Sequence, residues 1–153
     1  QSTGISSAWG RIFFVYGPYE AESRLVASIV KSLLKGEPAL CTHGGQYRDF
    51  LYVEDVADAF CSLLDSSVAG SVNIASGEPI KIRKLVQMIA DMIGNPELLH
   101  IGAIESRIGE PALLCANIER LSEEVGWRPK YTTREGVERT IDWWKKSLGL
   151  NGG

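Results

Sequence analysis

The sequence predicts an α/β fold in which buried strands alternate with amphipathic helices. Apolar runs of strand length, residues 9–16 (WGRIFFVY) and 50–53 (FLYV), are typical of strands that are buried on both faces of a parallel sheet. Residues 24–35 and 82–93 instead carry apolar side chains at helical spacing. Glycine and proline follow most of these segments and mark the turns between them. A chain that alternates in this way belongs to the α/β class.

The individual elements follow in chain order. The predicted strands are residues 9–16, 39–42, 50–53, 71–75 and 98–101. The predicted helices are residues 24–35, a helix that begins near Glu54 and Asp55, and residues 82–93, 117–125 and 133–148. Glu54 and Asp55 suit the positive end of a helix dipole. The inner face of the helix that follows them is predicted to consist of Val56, Ala59, Phe60, Leu63 and Leu64.

The composition is that of one globular domain. The chain has 153 residues, of which 44% are apolar and 23% charged, and this excludes a disordered chain, a collagen-like repeat and a disulfide-bonded miniprotein. The net charge of −3 offers no basic excess to neutralise phosphates, so nucleic-acid binding is not expected. Cys41, Cys61 and Cys115 lack a paired spacing and are interpreted as reduced thiols.

The sequence contains no segment with the length of a membrane span and no signal-peptide pattern. We therefore expect a cytoplasmic protein that does not bind a membrane. The sequence starts with Gln1 rather than with Met, and we expect the chain to be part of a longer protein.

Motifs that would assign a reaction are absent from the sequence. No stretch fits GxGxxG, GxxxxGK[ST], GxSxG or HExxH. His43 and His100 are far apart, and neither has Cys or acidic neighbours at ligand spacing, so no metal site is expected. By pattern alone the chain is an α/β domain without an assigned chemistry.

Three segments in order resemble one known family. They are residues 11–18 (RIFFVYGP), 46–57 (QYRDFLYVEDVA) and 72–77 (VNIASG). Together they resemble the C-terminal half of an extended short-chain dehydrogenase/reductase of the NAD-dependent epimerase/dehydratase family, which modifies nucleotide-diphosphate sugars. The resemblance spans roughly residues 5–146 and continues through RIGE at 107–110, Ala116-Asn117, GWRP at 126–129, Glu135-Gly136 and Trp143-Trp144.

The resemblance implies a division of the chain into two parts. Residues 5–18 and 46–77 would be the last elements of a Rossmann fold, and residues 19–45 and 78–148 a small mixed α/β substrate-binding domain, with a frayed tail at 149–153. The family's glycine-rich NAD turn and its Tyr-x-x-x-Lys pair lie upstream of the segments found here. None of the five tyrosines is followed by Lys four residues later, so no catalytic residue is expected in this chain.

The resemblance also implies which residues contact a nucleotide sugar. Arg48 and Arg107 match positions at the diphosphate, and an Arg fork suits two phosphate oxygens. Arg24 and Leu25 open a helix whose first turn approaches the same group. The base would lie against Cys41, Thr42 and His43, and a ribose hydroxyl would bind Glu110.

Structural roles remain open for several of these residues. Arg48 can instead pair with Asp49 or Glu54 and brace the end of a strand. Cys41 can be a small buried apolar residue, and His43 an ordinary loop residue. Arg24 can be a solvated arginine on a helix face.

The cofactor side is represented by Phe13, Val15 and Tyr16, which the resemblance places near the nicotinamide of NAD or NADP in the parent enzyme. Many family members have Asn at the position of Phe14, where it holds a substrate phosphate, and a phenyl ring cannot replace that contact. This chain alone is expected neither to hold NAD tightly nor to turn over. Its expected partners are a nucleotide-diphosphate sugar and the missing N-terminal Rossmann half, within a homodimeric parent.

Two alternative functions remain. The first is an NAD(P)H-dependent reductase of a non-nucleotide carbonyl compound as the parent, which the missing Asn at Phe14 favours. The chain can also be a truncated module without a catalytic role. In either case, Rossmann strands that lack their neighbours expose apolar faces and unpaired edges, and we expect the chain to associate with itself.

Overall fold

The structure is a computed structural model that describes residues 4–150. Its strands are β1 (Ala8–Ile12), β2 (Phe14–Tyr16), β3 (Ala39–Cys41), β4 (Tyr47–Arg48), β5 (Phe50–Tyr52), β6 (Gly70–Ile74), β7 (Ile80–Lys81), β8 (Leu99–Ile101) and β9 (Leu113–Leu114). Its α-helices are α1 (Leu25–Leu34), α2 (Val53–Asp65), α3 (Ile82–Ile93) and α4 (Thr133–Ser147). A 3₁₀ turn (Pro96–Leu98) and a π-helical turn (Arg120–Glu124) complete the fold. The predicted α/β class is confirmed.

Three parallel strand pairs form the framework of the molecule. β1 pairs with β6, β2 with β5, and β3 with β8. Parallel neighbours need a crossover between them, and here α1 and α2 with their flanking segments supply it. The helices predicted over 24–35, 82–93 and 133–148 all form within one residue of the predicted ends.

The apolar run at residues 9–16 forms two strands rather than the single buried strand that its pattern predicts. β1 pairs with β6, whereas β2 pairs with β5, and the backbone N–H of Phe13 donates to the carbonyl of Ile74 at 3.3 Å between the two strands. Burial on both faces is also wrong for β1, because Trp9 is 71% exposed. An apolar run indicates that its side chains favour burial. It does not indicate whether its two ends pair with different strands.

A small three-stranded sheet was not expected from the sequence. β4 lies in its centre, antiparallel to β7 and parallel to β9. Each of these strands is only two residues long, which is too short for an alternating pattern to be recognised. This sheet joins three loops that are far apart in sequence.

Two hydrophobic cores lie on opposite faces of the β2–β5 pair. Tyr16, Phe50 and Tyr52 face the larger core beneath α1, α3 and α4. Leu51 faces the smaller core, which holds the buried residues Val56, Ala59, Leu63, Val72, Ile74, Leu121 and Trp127. Successive strand residues point to opposite faces, so this short pair of strands serves both cores.

Two helix predictions need correction. Leu64 was expected on the inner face of α2, but it is 84% exposed. Phe60 is 36% exposed, although its ring lies against Gly10 of β1 on the predicted face. The helix predicted at 117–125 is reduced to the π-helical turn, because Asn117 and Ile118 lie outside it and the side chain of Asn73 donates to the Asn117 carbonyl at 2.8 Å.

The division into a Rossmann part and a substrate-binding part stays a prediction. Leu121 and Trp127, within the range assigned to the substrate-binding domain, pack in the smaller core against the elements assigned to the Rossmann part. At the C-terminus, the backbone N–H groups of Gly149 and Leu150 donate to the last turn of α4, so these two residues are not frayed. The rest of the predicted frayed tail, residues 151–153, lies outside the described residues.

Two further properties concern the described part of the chain. Within residues 4–150, no helix is both long and apolar enough to cross a membrane. The three cysteines are free thiols, with Cys41 buried and the other two exposed, as the absence of a paired spacing indicates.

Candidate binding site

The segment RDFLYVEDVA carries two aspartates that act as structural anchors. Asp49 is fully buried, and its Oδ1 accepts hydrogen bonds from the N–H and the hydroxyl of Ser76 at 2.8 and 2.6 Å. Its Oδ2 accepts from the N–H groups of Gly77 at 3.0 Å and Ala116 at 3.2 Å. One carboxylate therefore holds two loops that have no strand partner at these positions, and hydrogen bonds to a charged group are the strong ones.

Asp55 does the same at the start of α2. Its two carboxylate oxygens accept from the backbone N–H groups of Lys130 at 3.0 Å and Tyr131 at 3.2 Å. Burial raises the pKa of Asp55, and the two backbone N–H groups oppose that rise. The sequence interpretation of Asp55 as a partner of the helix dipole missed this role, although an acidic residue beside an apolar strand was the available signal.

Arg48 is a buried cation whose side chain is 4% exposed. Its Nη1 donates to the carbonyls of Tyr47 at 2.8 Å and Pro111 at 2.9 Å, and its Nη2 donates to Oε1 of Glu110 at 2.6 Å. The partner is thus Glu110 and neither Asp49 nor Glu54. Since Arg48 lies in β4 and Glu110 follows the loop at 102–109, this ion pair fixes that loop to the central strand of the small sheet.

Glu110 and Gln46 complete this buried network. The second carboxylate oxygen of Glu110 accepts from Nε2 of Gln46 at 2.9 Å, and Gln46 is only 5% exposed. The N–H of Glu110 also donates to the carbonyl of Arg107 at 3.4 Å and so closes a turn, and the side chain of Arg107 is exposed. Arg107 is therefore an exposed residue in the turn that precedes Glu110, the partner of Arg48.

Phe14 lies directly beside Arg48. The guanidinium carbon of Arg48 is 5.8 Å from the centroid of the Phe14 ring, and that ring is 5.7 Å from the ring of Phe50. A cation above an aromatic ring is attracted by the ring quadrupole. The position that carries Asn in many relatives therefore contributes a cation–π contact here and no hydrogen bond.

The residues predicted to receive a base lie along the same loop. Gly102 donates its N–H to the carbonyls of Cys41 at 3.0 Å and Thr42 at 3.1 Å, which places the loop at 102–109 against β3. Cys41 is buried, and burial raises the pKa of its thiol. Its contact with a base stays a prediction. His43 is exposed, and its Nδ1 accepts from the N–H of Gly45 at 2.8 Å.

Arg24 and Leu25 lie at the start of α1. Leu25 packs against the larger core, whereas the side chain of Arg24 is 59% exposed and its Nε lies 3.9 Å from Oε1 of Glu20. The other oxygen of Glu20 accepts from the N–H of Ala27 in the first turn of the helix at 3.2 Å. The Glu20 carboxylate therefore already accepts a hydrogen bond from one N–H group in the first turn of α1. The resemblance implies that a diphosphate approaches this same turn.

The residues predicted on the cofactor side differ in exposure. Tyr16 is 1% exposed and its hydroxyl donates to the carbonyl of Thr133 at 3.2 Å, and Val15 packs against the smaller core. Phe13 is half-buried and belongs to neither core, and the contact of these three residues with a cofactor stays a prediction. Among residues 4–150, no group of three His, Cys, Asp or Glu side chains is arranged to hold a metal ion.

The structure brings two of the predicted substrate residues, Arg48 and Glu110, into direct contact, and Phe14 lies against Arg48. The loop that ends at Glu110 carries Arg107, and Gly102 at its start donates to the carbonyls of Cys41 and Thr42. Arg24 is paired with Glu20 at the start of α1. The result is a surface with a buried ion pair beneath it and an exposed arginine on it.

Comparison with known proteins identifies the family of this chain. A family model described as GDP-mannose 4,6 dehydratase matches residues 1–140. The match and the parallel strand pairs define the chain as part of an extended short-chain dehydrogenase/reductase. The chain belongs to the NAD-dependent epimerase/dehydratase family within that class.

Two curated relatives illustrate the family. The chain is 28% identical over 139 residues to dTDP-glucose 4,6-dehydratase of Xanthomonas campestris pv. campestris, an alignment that covers 84% of this chain and 40% of the relative. It is 30% identical over 137 residues to UDP-glucuronic acid decarboxylase 3 of Arabidopsis thaliana, covering 88% of this chain and 40% of the relative. The chain therefore spans less than half the length of these relatives.

Solved structures share the fold. MoeE5 in complex with UDP-glucuronic acid and NAD has a TM-score of 0.82 at 28% identity, and the match covers 94% of this chain and 48% of MoeE5. UDP-glucose 4-epimerase of Thermotoga maritima, solved with UDP-glucose, has a TM-score of 0.87 over 95% of this chain and 48% of the epimerase. Its identity is 24%, so this second likeness concerns the fold alone.

Proposed function

We propose that this chain forms the nucleotide-sugar-binding part of an NAD(P)-dependent epimerase or dehydratase. The observation that carries the proposal is the Arg48–Glu110 ion pair, which is 2.6 Å long and almost fully buried on the Arg48 side. A buried cation needs a partner of opposite charge. The partner of Arg48 is Glu110, so the ion pair fixes the loop at 102–109 to β4. The loop so held presents Arg107, a free guanidinium on the surface.

In this proposal Arg107 binds the diphosphate directly. Its planar fork suits two phosphate oxygens at once, and its exposure leaves the donors available. Arg48 positions the loop, because both of its terminal nitrogens already donate to protein oxygens. A direct contact of Arg48 with the diphosphate stays a prediction of the resemblance, as do the contacts of Arg24, Leu25, Cys41, Thr42, His43 and Glu110.

The parent protein would supply what this chain lacks. Relatives of twice the length include dehydratases, and MoeE5 was solved with both a nucleotide sugar and NAD. We propose NAD or NADP as the parent's cofactor, with Phe13 beside its nicotinamide, and an N-terminal half that completes the Rossmann sheet at the free edge of β1. The described chain on its own would bind substrate without converting it.

A thermal-shift titration with UDP-, dTDP-, GDP- and CDP-sugars tests the proposal. A ligand at a hundred times its Kd stabilises the native state by about 2.7 kcal/mol, which corresponds to a rise of about 5–10 °C in Tm for a domain of this size. We expect such a rise with one base, and we expect Arg107→Ala to abolish it. Arg139→Ala, which removes the same charge from the exposed face of α4, is the matched control.

Either of two results would contradict the proposal. One is an equal rise in Tm for wild type and Arg107→Ala, and the other is no rise with any nucleotide sugar. In the second case the reductase of a non-nucleotide carbonyl becomes the better candidate. The apolar contact of Phe14 with Phe50, which takes the place of a phosphate-binding Asn, is the observation that favours it.

A further inference from the structure

A second concave surface borders the candidate binding site at Tyr47 and Phe50, which contact Arg48 and Phe14, and at Tyr16, which was predicted on the cofactor side. Two adjoining cavities of about 600 and 1010 Å³ share Lys81, Lys84, Met88 and Arg134 and so form one trough between α3, α4 and the loops before them. We name it the cationic trough. None of the residues predicted to bind substrate lines it.

The trough concentrates positive charge on a chain whose net charge is −3. Six of the 16 Lys and Arg residues of the chain line it, against two acidic residues. The cations are Lys81, Arg83, Lys84, Arg128, Lys130 and Arg134, and the acidic residues are Glu78 and Asp91. Like charges gathered in a concave surface reinforce each other's potential and attract anions.

Most of this charge has no internal partner. Lys130 pairs with Asp58 at 2.6 Å and Arg128 with Glu123 at 3.6 Å. Among residues 4–150, the other four cations of the trough form no ion pair within 4 Å, and Asp91 accepts a hydrogen bond from Gln87 at 2.9 Å. Unpaired cations that share a cleft repel one another, so the arrangement favours the binding of an external anion.

No residue of β1 lines the trough. Its lining includes Ile118 and residues 128–134. Arg120 of the same segment donates to the carbonyls of Ser71 at 2.6 Å and Ala69 at 3.1 Å and so packs against β6. Strands that pair with β1 would therefore use residues that do not line the trough.

We infer that the cationic trough is a second ligand site, which binds a small polyanion of the phosphate class. Two or more negative charges are needed to match four unpaired cations, and diphosphates and phosphorylated metabolites carry them. Apolar side chains between the cations, those of Met88, Ile80 and Pro129, offer contact for an uncharged body attached to the phosphates.

Calorimetric titration with inorganic pyrophosphate tests this inference. We compare wild type with Lys84→Gln combined with Arg134→Gln. The double substitution removes two charge-assisted donors, so it is expected to weaken pyrophosphate binding at this site at least about tenfold, which corresponds to about 1.4 kcal/mol. The matched control is Lys35→Gln combined with Lys146→Gln, which removes the same two charges from exposed positions outside the trough. We expect the control to bind like wild type.

Two further measurements separate a ligand site from a structural role. The double substitution in the trough removes repulsion, so without pyrophosphate its resistance to urea is expected to equal or exceed that of wild type. In ¹H–¹⁵N spectra of wild type, pyrophosphate is expected to shift the amide signals of residues 77–88 and 128–134, and Arg107→Ala is expected to leave those shifts unchanged.

Three results would overturn the inference. An equal loss of affinity in both double variants would mean that the affinity for pyrophosphate depends only on the net charge of the chain. Shifts confined to residues 102–110 would place the anion in the candidate binding site instead. Absence of pyrophosphate binding to wild type in the millimolar range, with intact spectra, would show that the trough binds no such anion.

Discussion

Gly136 illustrates how one atom decides the packing of a helix. It lies in the first half of α4, and a Cβ added to it would be 2.2 Å from the hydroxyl oxygen and 3.0 Å from Cζ of Tyr16. The missing side chain lets Tyr16 reach the carbonyl of Thr133 and pack edge-on against Phe50. Burial raises the pKa of Tyr16 far above its usual range, so its hydroxyl stays protonated as a donor.

Replacement of Gly136 by Ala is therefore expected to destabilise the chain. In an exposed helix this change stabilises by about 0.5–1 kcal/mol, but here the methyl group overlaps a buried ring, and overpacking of this kind costs about 1–3 kcal/mol. Urea unfolding monitored by circular dichroism measures the difference. Combining Gly136→Ala with Tyr16→Phe removes the closest atom, and the double variant should lose less stability than the sum of the two single changes. Additive losses would refute this account.

The start of α1 depends on a residue outside the helix. Arg24 precedes the helix and provides no side-chain hydrogen bond to it, whereas Glu20 accepts from the N–H of Ala27. Burial raises the pKa of Glu20 to about 7, against the lowering effects of that N–H and of Arg24. The helix dipole favours the charged form and desolvation opposes it, and the raised pKa means that desolvation dominates.

The stability of the chain should therefore depend on pH through Glu20. A carboxyl group that keeps its proton longer in the folded than in the unfolded chain contributes stability at low pH, and this contribution is lost as the pH rises towards 7. Glu20→Gln mimics the protonated form, so the variant should match wild type at a pH below the unfolded pKa of 4.5 and exceed it at pH 8. The free energy of unfolding in urea at both pH values checks this.

Glu22 is the matched control for this experiment. Its hydrogen bond with Lys31 lowers its pKa, so its charged form favours folding and the sign is reversed. Glu22→Gln should therefore be no more stable than wild type at pH 8. A Glu20→Gln variant that follows wild type at both pH values would disprove the role given to Glu20.

Long periodic elements of this fold could be predicted from the sequence, and short ones could not. The helices at 24–35, 82–93 and 133–148 carry enough turns for their apolar stripes to be recognised, and they form where expected. β4, β7 and β9 contain two residues each and exist because Arg48 and Asp49 tie distant loops together. Such contacts connect residues more than 60 positions apart, beyond the reach of any local pattern.

Site prediction has the same limit. Arg48 and Glu110 were selected through a resemblance, and the structure joins them to each other, which no spacing in the sequence could reveal. Gln46, which completes their network, was missed because a single Gln in a polar loop carries no signal. Asp49 was considered only as a partner for Arg48, although its carboxylate binds two other loops.

At the scale of the whole molecule, one side of the sheet is left uncovered. Trp9 on β1 is 71% exposed, and Leu64 on the neighbouring helix α2 is 84% exposed. The ring of Phe60 packs onto Gly10, where a Cβ would lie 2.3 Å from it, so α2 covers one face of β1 only. Exposed apolar residues next to an unpaired strand edge favour association.

We expect the chain to self-associate through this surface. Size-exclusion chromatography with light scattering should give a mass that rises with concentration above the 16.8 kDa of one chain. Trp9→Lys combined with Leu64→Lys should restore the mass of one chain, because charges on an edge oppose strand pairing. Ile108→Lys changes an equally exposed apolar residue in a loop and should have no effect. A single-chain mass for wild type at high concentration would contradict the expectation.

The two buried aspartates have a consequence for how this family diverges. Asp49 and Asp55 hold three segments of backbone without touching any residue proposed to bind substrate directly. A descendant that changed its substrate, or lost its reaction altogether, would still need both carboxylates in order to fold. Selection would therefore preserve RDFLYVEDVA for longer than it preserves the chemistry, and the presence of that segment in a sequence is evidence of ancestry and architecture before it is evidence of catalysis.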